Sequence, residues 1–331
     1  MSALAHDGSV SIVKFTTDSV FSRANTRMEC PPPRPSHRRT GMNCTQILTV
    51  ILLGALPLIA GADNQENRTL AATGSAHYRF ERLNVDSPDG QRHYRLDIGI
   101  PRNAAPAAGY PVMYLLDGNN ALAELQDSWL GELDAGAAPL LVMIGYDIDG
   151  TYDGEQRTRD YTGDTASAFL TTIETGIKPK VQANWSVDRK RQTLWGHSFG
   201  GLFVLDALLA RPDAFQTWIA ASASLWYQPT TFDKGMALRA LAPETAKHVV
   251  IVKGEREGKP PIAQFDGGSP QRRQQMQAVP ADANRLLAEH LATLRGTEAS
   301  YRAFNGRNHG QMFTTALHLG LRMAAGLPGQ P

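Results

Sequence analysis

The feature that most restricts the fold of this chain is a series of short apolar runs separated by segments with helical spacing. The runs contain four or five residues and show little alternation, which is typical of strands buried on both faces of a parallel sheet. Between them, apolar residues recur every three or four positions, which predicts amphipathic helices. Strands that alternate with helices predict a doubly wound α/β domain. The runs are residues 112–116, 140–144, 192–195, 217–221 and 249–252.

Two alternating segments, 78–85 and 92–100, precede these runs and are joined by Ser87-Pro88-Asp89-Gly90, a strong turn signal. They predict an antiparallel hairpin at the start of the sheet. With 42% hydrophobic and 20% charged residues, the chain has the balance of a globular protein with a substantial core. We therefore expect one α/β domain over residues 78–327, with a mostly parallel doubly wound sheet and an N-terminal antiparallel hairpin.

The spacing of apolar residues predicts where the principal helices lie. Leucines between 122 and 133 fall on one helical face, and apolar residues from Phe169 to Val181 keep a four-residue step. Pro179 should kink or end the second of these helices. A polar stretch, 254–281, is expected to be a loop or an excursion over one edge of the sheet.

Residues 1–62 differ from the predicted domain. Arg38 and Arg39 precede an uncharged apolar run, 47–59, that ends in Ala60-Gly61-Ala62. This pattern is typical of a secretory signal peptide, and a single membrane anchor is the alternative. Because Met42 lies just before the run, we expect four segments: 1–41 as non-coding or disordered upstream sequence, 42–62 as the signal peptide, 63–77 as a flexible segment, and then the domain.

Cleavage after Ala62 implies an exported protein without a stable membrane span in its mature form, for which we expect a periplasmic location. Both cysteines, Cys30 and Cys44, precede that position, so the mature chain would have no disulfide, cysteine nucleophile or cysteine metal site. The formal charge of +1 also argues against a nucleic-acid partner. The intact mass of the protein recovered from the periplasm tests both the start and the cleavage site, and a mass that includes residues 1–62 would contradict them.

The motif with the clearest chemical meaning is Gly196-His197-Ser198-Phe199-Gly200, which matches G-x-S-x-G. In a nucleophile elbow, such a sequence forms a sharp turn from a strand into a helix and exposes the serine. Here a predicted strand precedes Ser198 and a predicted helix follows it. The sequence therefore favours a nucleophilic serine over a purely structural glycine turn.

A serine nucleophile needs a base, and in this kind of fold the chain order is serine, acid, histidine. His309 in "FNGRNHGQMF" follows the predicted strand 301–304 and is the candidate base, with a surface histidine at a helix start as the alternative. Glu255 follows strand 249–252 and is the preferred acid; Glu257 is the alternative, and a serine–histidine dyad without an acid stays open. His197 is expected to support the structure.

An oxyanion hole requires two backbone donors close to the nucleophile. The amide of Phe199, directly after the serine, is the first candidate. The second should come from the loop after an early strand, where "LLDGNN" offers Gly118 or Asn119. No metal or organic cofactor is required for this chemistry.

Several segments together resemble one known family. In order and spacing, "YPVMYLLDGNNAL", "VMIGY", "RTRDYT", "GHSFGGLFVLDALL" and "NHGQMF" are similar to the esterase D branch of the α/β-hydrolases, and most closely to the periplasmic ferric enterobactin and salmochelin esterases. The resemblance covers about residues 78–325. It implies an α/β-hydrolase fold and hydrolysis of the trilactone backbone of a catecholate siderophore, which promotes iron release.

The resemblance also carries over individual residues. It places the nucleophile on Ser198, the base on His309 and a substrate-positioning arginine on Arg157. Trp226 in "SLWY" is a second candidate for substrate binding, because a ferric tris-catecholate is an anion with flat aromatic faces. Contact with periplasmic or outer-membrane siderophore uptake proteins is a further expectation.

Two other functions fit the same residues. The chain could be a general carboxylesterase or thioester hydrolase of the esterase D type, or a non-catalytic periplasmic siderophore-binding protein with a vestigial Ser198. The first is distinguished by its substrate preference and the second by the effect of removing the serine hydroxyl.

Overall fold

The computed structural model describes residues 68–241, 244–257, 270, 274 and 277–329, which all belong to one compact unit. They form one eight-stranded sheet. Its strands are β1 (Tyr78–Asp86), β2 (His93–Pro101), β3 (Tyr110–Leu115), β4 (Leu140–Gly145), β5 (Val187–His197), β6 (Thr217–Ala221), β7 (Lys247–Gly254) and β8 (Thr297–Phe304). Their order across the sheet is β1-β2-β4-β3-β5-β6-β7-β8.

The direction of the strands agrees with the predicted fold class. β1 and β2 form an antiparallel hairpin whose register pairs Tyr78 with Pro101 and Asp86 with His93. β2 is also antiparallel to β4, and every later pair is parallel. The predicted mostly parallel, doubly wound sheet with an N-terminal antiparallel hairpin is therefore confirmed.

Helices cover both faces of the sheet. They are α1 (Leu70–Thr73), α2 (Gly118–Glu124), α3 (Asp127–Glu132), α4 (Gly154–Tyr161), α5 (Ala166–Thr172), α6 (Lys178–Asn184), α7 (Phe199–Ala210), α8 (Pro229–Ala237), α9 (Ala283–Ala292) and α10 (His309–Ala324). Short 3₁₀ segments at Leu133–Ala135, Gly163–Thr165 and Pro212–Ala214 and a π-helical turn at Ile173–Ile177 join some of them.

Two helix predictions need refinement. The prediction of one continuous helix over the leucines from 122 to 133 is wrong. Leu125 is extended (φ −61°, ψ 136°) and separates α2 from α3. The helix predicted through Pro179 is interrupted by the π-helical turn and resumes with Pro179 in the first turn of α6. Proline is tolerated there because the first amides of a helix have no intrahelical partner.

The strands separate two apolar clusters, one on each face of the sheet. On one face Val112 and Tyr114 belong to a cluster that includes the aromatic residues of α5 and α7. On the other face Met113 and Leu115 belong to a cluster that includes residues of α2, α3 and α10. Neighbouring residues of β3 point to opposite faces of the sheet, and residues 112–115 are all buried. This is why these residues form a continuous apolar run without polar alternation.

The predicted segments 1–41 and 42–62 lie outside the described residues, so the signal peptide and the periplasmic location stay predictions. Within 68–77, α1 precedes the sheet, and the Ser75 hydroxyl donates a hydrogen bond to Asp127 Oδ1 at 2.5 Å. In the parts of the chain that the structure describes, no helix combines the length and apolar character needed to cross a membrane. Most of the polar stretch 254–281 also lies outside the described residues.

Candidate active site

Ser198 lies in the sharp turn between the end of β5 and the start of α7. Its backbone has φ 61° and ψ −114°, a conformation that is unfavourable for a residue with a side chain. A Cβ at Gly196 would lie 2.4 Å from the carbonyl carbon and oxygen of Gly200, and a Cβ at Gly201 would lie 2.7 Å from the Ala221 oxygen. Only glycine permits this close packing of strand and helix, so the motif forms a nucleophile elbow.

The structure brings Ser198, His309 and Glu257 into one hydrogen-bonded series. His309 Nε2 lies 3.0 Å from Ser198 Oγ, and His309 Nδ1 lies 3.0 Å from Glu257 Oε2. An ionised carboxylate only accepts hydrogen bonds, so Glu257 favours the tautomer with the hydrogen on Nδ1. Nε2 is then free to accept the proton of the serine hydroxyl.

The preference for Glu255 as the acid is wrong, and the alternative residue Glu257 occupies that place. After β7 the chain turns back, and the Glu257 amide donates a hydrogen bond to the Gly254 oxygen at 3.2 Å. This turn directs the Glu257 side chain toward His309. Glu255 is exposed and instead accepts a hydrogen bond from the Gly306 amide at 3.3 Å. Both glutamates follow β7 in the same turn, so their distance along the chain from the strand did not indicate which one contacts His309.

Hydrogen bonds from neighbouring groups keep the Glu257 side chain ionised. Its side chain is only 5% exposed, and burial on its own raises the pKa of a carboxyl group. Hydrogen bonds from His309, from the Ser222 hydroxyl at 2.5 Å and from the Gly254 amide at 2.7 Å outweigh burial and lower the pKa of Glu257 below its usual value. The acid is therefore ionised at neutral pH and suited to orient the imidazole.

His309 is positioned by the start of α10. Asn308 caps this helix, with its side chain accepting from the Gln311 amide while the Gln311 side chain accepts from the Asn308 amide. Such a capping box fixes the first turn of the helix. The His309 side chain is 49% exposed, so the candidate base lies at the surface of the protein and not in its core.

His197 supports the first turn of α10, which carries His309, as expected. Its buried ring donates a hydrogen bond from Nε2 to the His309 carbonyl oxygen at 2.9 Å. The two rings lie 4.7 Å apart between centroids. Burial, together with the neighbouring His309, lowers the pKa of His197 to about 3. His197 is thus a neutral donor and not a second base.

The buried, neutral His197 makes the stability of the fold depend on pH. The unfolded chain takes up a proton on His197 below a pH of about 6.5, whereas the folded chain resists protonation down to about 3. The contribution of His197 to the free energy of unfolding should therefore fall by about 1.4 kcal/mol per pH unit as the pH drops within that window. His197→Gln keeps an N–H donor without a titrating ring, so urea unfolding at pH 7, 6 and 5 should show a shallower loss. An unchanged slope would contradict this assignment.

Two serines after β6 were missed by the sequence interpretation. Ser224 is buried, and its Oγ lies 3.2 Å from Ser198 Oγ. Ser222 has a positive φ of 49° and donates to Glu257. β6 is the neighbour of β5, so the residues that follow β6 necessarily lie beside the elbow. This adjacency was the signal that could have identified them.

The predicted oxyanion donors lie at the starts of two helices beside the elbow. Phe199 is the first residue of α7, and Gly118 and Asn119 are in the first turn of α2. A Cβ at Gly118 would lie 2.5 Å from the backbone of Met143, so the turn packs directly on β4. The Asn119 side chain accepts from the Tyr146 amide at 2.8 Å and donates to the Tyr146 oxygen at 3.0 Å. The side chain of Asn119 is therefore engaged, which leaves its backbone amide as the candidate donor.

Arg157 lies close to the elbow but has a protein partner that the sequence did not predict. Its guanidinium forms two hydrogen bonds to Asp117, Nε to Oδ1 at 2.8 Å and Nη2 to Oδ2 at 2.9 Å. The guanidinium carbon also lies 5.3 Å from the centroid of the Phe199 ring. Burial lowers the pKa of an arginine, but the Asp117 charge outweighs it and raises the pKa of Arg157. Arg157 is thus permanently charged and paired.

Trp226 belongs to a line of aromatic rings that reaches the elbow. Its ring lies 5.8 Å from that of Tyr227, which lies 4.4 Å from that of Phe199. All three side chains are partly exposed. The aromatic face and Arg157 therefore meet at the ring of Phe199, the residue directly after Ser198.

The arrangement provides a hydroxyl nucleophile, a base at hydrogen-bond distance and an ionised group that orients the base. These are the components of acyl transfer through a covalent intermediate. Among the described residues, no group of three or more His, Cys, Asp or Glu side chains is arranged to hold a metal ion.

Comparisons with known proteins agree with this chemistry. The model of the Esterase family matches residues 87–321. An apo-salmochelin esterase of Escherichia coli O6:H1 (strain CFT073) is 38% identical over 174 residues, 47% of this chain, although the match spans only 54% of that relative. The ferri-bacillibactin esterase BesA of Bacillus subtilis (strain 168) is 30% identical over 269 residues, 72% of this chain and 87% of the relative.

A solved structure supports the same grouping. The enterobactin and salmochelin hydrolase IroE superposes with a TM-score of 0.63 at 31% sequence identity, covering 78% of this chain and 99% of that structure. This likeness confirms the predicted α/β-hydrolase fold.

Proposed function

Because this chain belongs to the Esterase family and is a carboxylic ester hydrolase, we propose that it hydrolyses the trilactone backbone of enterobactin-type catecholate siderophores. Ser198 is the nucleophile, His309 the base and Glu257 the orienting acid. The observation that carries the proposal is the hydrogen-bonded series of these three side chains, with 3.0 Å at each of its two steps.

The mechanism follows from the roles of these atoms. His309 Nε2 takes the proton from Ser198 as Oγ attacks a lactone carbonyl, and the imidazolium is stabilised by Glu257. The amide of Phe199 and that of Gly118 or Asn119 hold the negative oxygen of the tetrahedral intermediate.

Collapse of this intermediate breaks the ester C–O bond. His309 returns the proton to the leaving alkoxide, and the opened siderophore stays attached as an acyl-enzyme. A water molecule, deprotonated by His309, then attacks the acyl carbonyl; the acid leaves, and His309 returns the proton to Ser198 Oγ. This first hydrolysis opens the trilactone to a linear trimer, and repetition on the remaining esters gives the dimer and the monomer.

Support for the siderophore as substrate comes from two sources. The relatives named above are described as esterases of salmochelin and bacillibactin and as a hydrolase of enterobactin and salmochelin. The face formed by Phe199, Tyr227 and Trp226 offers aromatic rings to the flat catechol groups, and the guanidinium of Arg157 adds a positive charge beside the Phe199 ring. The iron would belong to the substrate and not to the protein.

The substrate is tested by comparing kcat/KM for ferric enterobactin, apo enterobactin and p-nitrophenyl acetate. We expect at least one siderophore form to exceed the simple ester by about 10²-fold or more, because binding of the remote aromatic groups is used to lower the barrier. Faster turnover of the simple ester than of either siderophore would contradict the substrate and favour a general carboxylesterase. Cleavage of a thioester in preference to all three would indicate a thioester hydrolase.

A further inference from the structure

The turn between β3 and α2 has an unusual backbone at Asp117. This residue is buried and adopts the left-handed conformation, with φ 52° and ψ 46°. A residue with a side chain keeps such a conformation only when its surroundings determine it. Its carboxylate makes no capping bond to the first turn of α2 and is available for another partner.

One face of α4 supplies the surroundings of Asp117. Arg157 binds both carboxylate oxygens, and the Tyr161 hydroxyl accepts a hydrogen bond from the Asp117 amide at 2.9 Å. Arg157 and Tyr161 are one helical turn apart. Three hydrogen bonds therefore join Asp117 to α4. The bidentate pair between Arg157 and Asp117 defines both the distance and the orientation of the two side chains.

The same pair contacts the nucleophile elbow. Asp117 Oδ2 lies 3.6 Å from the position that a Cβ of Gly200 would occupy, in the first turn of α7. The guanidinium of Arg157 lies over the Phe199 ring. The pair thus lies between the two segments that carry the proposed oxyanion donors, the amide of Phe199 and that of Gly118 or Asn119.

We propose that Arg157 is a positioning residue, which acts through Asp117 to set the distance between the two halves of the oxyanion hole. Two of its three guanidinium nitrogens are engaged with Asp117, and the two charges largely compensate each other. Arg157 therefore contributes to turnover of any ester, including a small neutral one, in addition to any contact with a siderophore. This inference rests on the proposed esterase function.

The test uses Arg157→Gln and p-nitrophenyl acetate, which has no anionic group for an arginine to bind. Loss of positioning should lower kcat by about 10- to 100-fold, because one misplaced oxyanion donor costs up to about 10³-fold. KM should stay within about threefold, since ground-state binding of this ester does not involve the oxyanion. Binding of a neutral trifluoromethyl ketone, which forms an oxyanion on Ser198, should weaken in parallel with kcat.

Arg159→Gln is the matched control, because Arg159 is an exposed arginine on the same helix. Asp117→Asn combined with Arg157→Gln removes both charges, so it leaves no unpaired buried carboxylate if the single variant fails to fold. This double variant should lose about as much kcat as Arg157→Gln alone, since both residues act through one pair. Thermal unfolding verifies that each variant is folded.

The outcomes separate this inference from the proposed function. If folded Arg157→Gln and the folded double variant both turn over the neutral ester with the wild-type kcat, the positioning role is wrong, whereas the esterase function stands. A rise in KM confined to ferric enterobactin would likewise overturn the positioning role and leave only substrate binding. Absence of wild-type turnover on every ester would instead refute the proposed function.

Discussion

Ser198→Ala should lower kcat for ester hydrolysis on the order of 10⁵- to 10⁶-fold, because loss of the nucleophile removes the covalent route and leaves only binding and the oxyanion donors. The variant should stay folded, since alanine tolerates the elbow backbone about as well as serine does. Siderophore binding, measured by quenching of intrinsic tryptophan fluorescence, should be retained.

Ser224→Ala is the matched comparison for this result. Ser224 offers a second hydroxyl 3.2 Å from the first, so it is the residue that could be mistaken for the nucleophile. We expect Ser224→Ala to reduce kcat by less than about tenfold, as only one neutral hydrogen bond to Ser198 is lost. A fluorophosphonate probe should label wild type and Ser224→Ala once each, and should not label Ser198→Ala. Unchanged turnover in Ser198→Ala would refute Ser198 as the nucleophile, whereas a wild-type protein that binds the siderophore without hydrolysing any ester would be a siderophore-binding protein.

Glu257→Gln should lower kcat by about 10³- to 10⁴-fold, because a neutral amide neither stabilises the imidazolium nor enforces the tautomer that leaves Nε2 free. Ser222 and the Gly254 amide donate to the same side chain, so the amide group of glutamine would also disturb their hydrogen bonds. The measurement is kcat and KM on both p-nitrophenyl acetate and ferric enterobactin. KM should change little compared with kcat.

Glu255→Gln is an internal control only two residues away. Glu255 is exposed and bonds the Gly306 amide, a contact that glutamine can keep through its carbonyl oxygen. Its kcat should stay within about threefold of wild type, since a substitution of this kind on the surface removes one screened charge. If the two variants exchanged their effects, Glu255 would be the acid. If neither had an effect, a serine–histidine dyad would suffice.

Local patterns were enough to predict most of the fold. The apolar runs identified the strands because side chains buried on both faces of a sheet leave no polar alternation. The glycines around Ser198 identified the elbow, because the strand and the helix pack so closely that a Cβ at Gly196 would lie 2.4 Å from the carbonyl group of Gly200. Helix ends were less well predicted: the break at Leu125 between α2 and α3 has neither proline nor glycine to mark it.

The sequence by itself predicted the candidate nucleophile and its candidate base, because Ser198 lies in the elbow motif and His309 follows a predicted strand in the expected chain order. The tertiary structure alone decided the acid and the partner of Arg157. Glu255 and Glu257 lie in one turn with similar local sequence, and only the fold of that turn directs Glu257 toward His309, 52 residues away in the chain. Asp117 and Arg157 are 40 residues apart, and their pairing depends on how α4 packs against the turn after β3. A hydrogen bond between distant residues is set by the packing of the elements that carry them, which local spacing does not record.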